Sequence, residues 1–201
     1  MSTATFSFEE IGHRYTTEDG AVVPSVSQCM ELSGISDVSG IPAHILERAS
    51  AIGTAVHQAC EFLDQDDLEL DSLDPSIVGY VVGYQKFREE HEFIPELVEH
   101  RIVAELGGMR YGMCVDRVGR FKVSKNTILL DIKTSSKPQP SWGIQTAAYA
   151  AGLGLDCERK VVHVAKDGTY RLIHHREDDL TTWAAALQVA HWRLAHGAKI
   201  K

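Results

Sequence analysis

Between Ile45 and Leu63 the apolar residues Ile45, Leu46, Ala49, Ile52, Val56, Ala59, Cys60 and Leu63 recur every three or four positions. That spacing lines one face of an α-helix, and Pro42 stands where such a helix begins. Upstream, 6–23 alternates short apolar groups with polar ones around Asp19-Gly20, the signature of a β-hairpin. Pro24-Ser25 then offers a cap for a short helix through Leu32, which Gly34 ends. The acidic stretch 64–74 reads as a solvated loop before a helix over 75–92, in which Tyr80, Tyr84 and Phe87 have the helical spacing of core residues. Three strand-like runs follow, 97–106, 110–118 and 127–134, the first two joined by Gly107-Gly108. A helix over 141–153, two short strands over 159–165 and 169–174 about Asp167-Gly168, and a helix over 178–195 complete the chain. The order α, β, β, β, α, β predicts an α/β sandwich around a mixed sheet.

A length of 201 residues suits one domain, here an N-terminal extension over 1–40 and a core over 41–196. With 44% hydrophobic and 24% charged residues, and no apolar run of roughly 18 residues, the pattern is that of a soluble globular protein outside the membrane. The start, Met1-Ser2-Thr3-Ala4-Thr5, lacks the basic flank and apolar run of a signal peptide, so a cytoplasmic location is expected. Cys29, Cys60, Cys114 and Cys157 form no CxxC pair, which argues against a compact zinc site or an iron-sulfur cluster and for free, mostly buried thiols. A net charge of −8 counts against coating nucleic acid by charge alone, but not against carboxylates that attract phosphate once a cation is bound. Arg101, Arg110, Arg117, Arg120, Lys122, Lys125, Lys133 and Lys137 gather in the middle of the chain.

The candidate chemistry lies in the third strand of that central run, where period two sets Asp131 and Lys133 on one face and Leu130 and Ile132 on the other. The preceding strand turns Asp116 away from Val115. Neighbouring strands lie about 4.8 Å apart, so Asp116 and Asp131 come within reach of one ion. Two close carboxylates repel unless protonated or bridged, and hard oxygen donors suit Mg²⁺ or Mn²⁺. Lys133 beside them can orient or deprotonate a water and offset phosphate charge.

Four motifs in this order resemble the PD-(D/E)XK nuclease superfamily, in particular its RecB-like and phage exonuclease branch. Gly53-Thr54-Ala55-Val56-His57 resembles that branch's GxxxH helix, and Gly112-Met113-Cys114-Val115-Asp116 its GxxxD hairpin. Asp131-Ile132-Lys133 resembles its DxK, and Gln145-Thr146-Ala147-Ala148-Tyr149 its QxxxY. Val23-Pro24-Ser25-Val26-Ser27 is similar to a segment of phage members, and Val115 replaces the proline that names the motif. The resemblance spans about 13–150 and implies a restriction-endonuclease-like αβββαβ core.

It further implies that His57, Asp116, Asp131 and the Ile132 carbonyl hold the metal and that Lys133 is catalytic. Glu99 would supply another acidic group, with Glu105 and Glu61 as competitors, while Gln145 and Tyr149 position DNA. The implied activity is divalent-metal-dependent DNA exonuclease hydrolysis in recombination, repair or phage DNA processing, in a bacterial or phage-infected cytoplasm. A single-strand annealing protein is a partner on the resemblance alone. The alternatives are a site- or structure-specific endonuclease and a non-cleaving DNA-end-binding protein. His163, His174 and His175 are expected on exposed hairpin strands, without a second metal.

Overall fold

The computed structural model describes residues 5–10, 12–37, 39–175 and 178–200. Strands β1 (Phe6–Glu9), β2 (Arg14–Thr17) and β3 (Val22–Val23) form a small antiparallel sheet, with the expected hairpin at Asp19-Gly20 joining β2 to β3. Helix α1 (Val26–Ser33) begins in a reciprocal cap: Gln28 N–H donates to Ser25 Oγ at 3.2 Å, and Ser25 N–H donates to Gln28 Oε1 at 2.8 Å. Gly34, with φ +81°, closes it.

The long helix α2 (Ala43–Asp64) and α3 (Val78–His91) precede the strands β4 (Phe93–Leu106), β5 (Met109–Phe121) and β6 (Ile128–Lys133). Helix α4 (Ser141–Leu153) crosses to β7 (Glu158–Val164), which runs parallel to β6 and pairs with β8 (Tyr170–His174) before α5 (Asp179–Ala195). The five-stranded sheet β4-β5-β6-β7-β8 is therefore mixed, with one parallel pair. Among the described residues no helix is long and apolar enough to cross a membrane.

β4 and β5 outrun the predicted strands because β4 is an edge strand: it tolerates Pro95 beside a bulge between Pro95 and Leu97. Their tight turn places both Gly107 (φ +59°) and Gly108 (φ +78°) in the left-handed region that a two-residue hairpin requires.

Helices α1, α4 and α5 cover one face of the sheet, with fully buried Trp183 set edge-on to Tyr111 at 5.0 Å between ring centres. Helices α2 and α3 cover the other around Val56, Cys60, Tyr84, Phe87, Leu130 and Ile132. The small sheet docks beside them through Tyr15 and Val103. A Cβ on Gly112 would lie 2.3 Å from the Tyr15 ring, so the motif glycine at this position permits that docking.

The inside–outside alternation of β4 and β5 breaks at one place. Leu97 and Val118 pack into the same core as Ile102, Met113 and Val115, although the two groups lie an odd number of positions apart on each strand. At the break Glu99 adopts φ +45°, a left-handed conformation rare for a residue with a side chain. Period two, assumed along both strands in the sequence reading, is lost at Glu99 and around Asp116.

Candidate metal centre

The break coincides with a gap in the sheet. β5 and β6 pair only at Arg117↔Leu130, Val118↔Leu129 and Gly119↔Ile128, and the ladder stops before Asp116 and Asp131. Asp116 occupies the gap, its Oδ2 accepting the Ile132 N–H at 2.7 Å in place of a ladder bond.

His57 comes down from α2 over the same point. Its Nε2 lies 3.0 Å from the Ile132 carbonyl, and its Nδ1 lies 3.4 Å from Glu99 Oε1 and 3.5 Å from Asp116 Oδ2. A neutral ring donating Nε2–H to that carbonyl leaves the Nδ1 lone pair facing both carboxylates, the tautomer a metal ligand needs. Gly53, one turn earlier, has room for a side chain, since a Cβ there would meet only Thr134 Oγ1 at 3.8 Å.

One ligand atom from each of His57, Glu99 and Asp116 lies within 4.8 Å of the other two. Glu61 and Glu105, the alternative acidic groups, are outside this trio, and Glu105 instead sits opposite Arg110 in the β4–β5 ladder. Asp131 is also outside it. Its fully buried carboxylate meets Lys133 Nζ at 3.0 Å (Oδ1) and 2.8 Å (Oδ2), yet Oδ2 accepts no well-aligned hydrogen bond. Converging carboxylates, an imidazole and a buried carboxylate oxygen with spare capacity fit a hard divalent cation.

The electrostatics agree with that donor set. Burial opposes charge on His57, but Asp116 and Glu99 outweigh it and raise its pKa to about 9. Burial likewise disfavours the Glu99 carboxylate, and His57 and Arg117 overcome it, holding the group at about 2. Burial pushes Asp131 up, Lys133 opposes the rise and Asp116 adds to it, leaving the carboxyl at about 6. Lys133 is raised, Asp131 and Asp116 overcoming its burial. A proton on His57 thus takes the place a cation would fill.

Because the folded pKa of His57 exceeds its ordinary 6.5, the stabilisation from that proton is complete below pH 6.5 and disappears as pH rises through about 9. In chelator, the stability gap between the wild type and His57→Ala is therefore expected to be wider at pH 6 than at pH 9.5 by urea denaturation. A gap independent of pH would mean that His57 carries no shared proton.

Gln145 and Tyr149 sit one turn apart on α4, where Gln145 Nε2 donates to the Tyr149 hydroxyl at 2.6 Å. Tyr149 is buried, and burial, with Asp131 and Asp116 nearby, raises its phenol well above 10. It therefore keeps its proton.

Two further groups escaped the sequence reading. Arg117, counted there among the clustered basic residues, is fully buried, and its Nη1 donates to Glu99 Oε1 at 2.8 Å and to the Asp116 carbonyl at 2.6 Å. Its Nε donates to Asp64 Oδ2, and Asp64 also meets Arg88 Nε at 3.2 Å and the Tyr84 hydroxyl at 3.1 Å. Asp64, assigned to a solvated acidic loop, instead ends α2 with its side chain fully buried. Cys60 and Val56, four and eight residues earlier, mark the inward face on which it lies.

Of the rest of the basic cluster, Arg110 pairs with Asp19 at 3.0 Å, Arg120 with Glu96 at 3.0 Å and Lys122 with Glu92. His163 is buried rather than exposed, its Nε2 lying 2.5 Å from the Ser135 carbonyl and its ring beside Trp142, because β7 is an interior strand. His174 is exposed and lies 2.8 Å from Lys160 Nζ, whereas His175 is half-buried.

A five-stranded mixed sheet between helical layers, with the order α, β, β, β, α, β, is a restriction-endonuclease-like core, here carrying an added N-terminal sheet and helix. No family model matches the chain, and no curated protein does. The chain shares its fold with a solved structure from Eubacterium rectale that is called a candidate exonuclease, with TM-score 0.59 and 13% identity over 87% of this chain and 80% of that one. A second structure, SSO0001, is 15% identical over 75% of this chain and 77% of that one, and its TM-score of 0.38 is too low to carry weight.

Proposed function

We propose that this protein is a divalent-metal-dependent nuclease that hydrolyses phosphodiester bonds in DNA. The observation that carries the reading is the convergence of His57, Glu99 and Asp116 within 4.8 Å, at the gap in the sheet beside the Asp131–Lys133 pair. His57, Glu99, Asp116 and Asp131 would hold Mg²⁺ or Mn²⁺. The Ile132 backbone orients His57 through its carbonyl and Asp116 through its N–H. A bound divalent cation supplies charge for the phosphate and acidifies water.

The chain's own groups supply the rest. Lys133, held beside Asp131, neutralises charge gathering on the phosphate. Gln145 and Tyr149 contact the DNA backbone. The name of the Eubacterium rectale structure favours an exonuclease over an endonuclease.

The test incubates the protein with linear and covalently closed circular DNA, single- and double-stranded, in Mg²⁺, Mn²⁺ or chelator. Metal-dependent loss of linear DNA with circles intact is the expected result. Cut circles would establish an endonuclease, and DNA binding without cleavage in either metal would overturn the nuclease reading.

A further inference from the structure

Arg117 has no exposed side-chain surface, and an ionised guanidinium in that position is tolerable only if counter-charges meet its donors. It spans two elements. Asp64 from the end of α2 takes one edge of the fork, and Glu99 from β4 takes the other at 2.8 Å. Glu99 holds a left-handed backbone at that point, so its own strand does not favour the conformation it keeps. Glu99 Oε1 is also the oxygen that faces His57 Nδ1 at 3.4 Å.

Resting on the metal-centre reading above, we propose that Arg117, clamped by Asp64, is a positioning residue that holds the Glu99 carboxylate in the metal group. Two features follow from the geometry. Asp64 offsets a positive charge that would otherwise repel a cation in the adjoining trio. The planar fork fixes Glu99 in direction as well as distance, which a lysine, with its single flexible ammonium, cannot do while also reaching Asp64. Arg88 and Tyr84 hold Asp64 in turn, so the clamp extends through the α2–α3 interface to the gap in the sheet.

The experiment is a double-variant cycle read by Mn²⁺ binding, followed by electron paramagnetic resonance in the absence of DNA. Its partners are Glu99→Gln and the combined Arg117→Met, Asp64→Asn variant, which removes both buried charges together. The combined variant is expected to bind Mn²⁺ about tenfold or more weakly, the usual scale for losing a group that orients a ligand. Adding Glu99→Gln to it is expected to weaken binding by less than about twofold, because the carboxylate has already lost its position.

The same cycle on Arg117→Lys, which keeps the charge and loses the fork, is expected to show the same non-additivity and does not depend on the combined variant folding. If Glu99→Gln weakens binding equally in all backgrounds, Arg117 does not act through Glu99 and the inference is overturned while the metal centre stands. A wild-type protein that binds no Mn²⁺ overturns both.

Discussion

Lys133→Met is expected to lower DNA hydrolysis by about 10²–10⁴-fold, the range for losing a positioned proton-transfer or charge-stabilising group, while leaving Mn²⁺ binding intact or tighter. The asymmetry follows from where the ammonium sits. It is held at 2.8 Å and 3.0 Å from the Asp131 oxygens on the same strand and is one-fifth exposed. Removing it deletes a positive charge beside the Asp131 and Asp116 carboxylates, which favours a cation, but it also removes the cation that would meet a phosphate. A loss of activity accompanied by an equal loss of Mn²⁺ affinity would instead assign Lys133 a purely structural role. Metal titration beside single-turnover cleavage separates the two.

The second large effect is on stability. Asp64→Leu is expected to cost about 3–5 kcal/mol, because it strands a buried guanidinium whose other partner, Glu99, is shared with His57. The Arg88 guanidinium and the Tyr84 hydroxyl lose the same acceptor. Replacing Asp64 and Arg117 together by Asn and Met removes the uncompensated charge and is expected to cost much less than the single change. Urea denaturation measures both. A loss below about 1 kcal/mol for Asp64→Leu, the scale of an exposed pair, would mean that water reaches this network.

Both expectations concern residues that the sequence exposed unequally, and the reason is physical. The helices were legible because apolar spacing of three and four residues survives along α2, α4 and α5, and because Ser25 and Gly34 carry the chemistry of α1's two ends. Asp131 and Lys133 were legible because β6 keeps strict alternation, with Ile128, Leu130 and Ile132 in one core and Leu129 in the other.

Glu99 was found only as one acidic candidate among three. Its place beside His57 depends on a left-handed residue in mid-strand, and no one-dimensional period encodes that. Arg117 and Asp64 went unread for a related reason. Summed charge treats every Arg and Asp as surface, whereas each of these lies at an inward position and neutralises the other. The usable signal was a charged residue at an inward helical position, four residues beyond buried Cys60, with another immediately after Asp116 between the apolar residues Val115 and Val118.

The acidic overall charge, −8, also takes on a more definite meaning. Arg110, Arg120 and Lys122 lie against carboxylates, while Arg101, Lys125 and Lys137 are exposed and leave the central run some basic surface toward phosphates. Attraction for DNA at the proposed metal centre would rise when a divalent cation occupies it.

The central claim is that His57, Glu99 and Asp116 bind a divalent cation, and calorimetric titration of Mn²⁺ into chelator-stripped protein at pH 7.5 tests it without DNA. The account predicts saturable binding that Asp116→Asn and His57→Ala each abolish, with proton release on binding because His57 holds a proton in the free protein. A wild-type protein that takes up no Mn²⁺, or an Asp116→Asn variant that binds it as tightly as the wild type, would contradict the account.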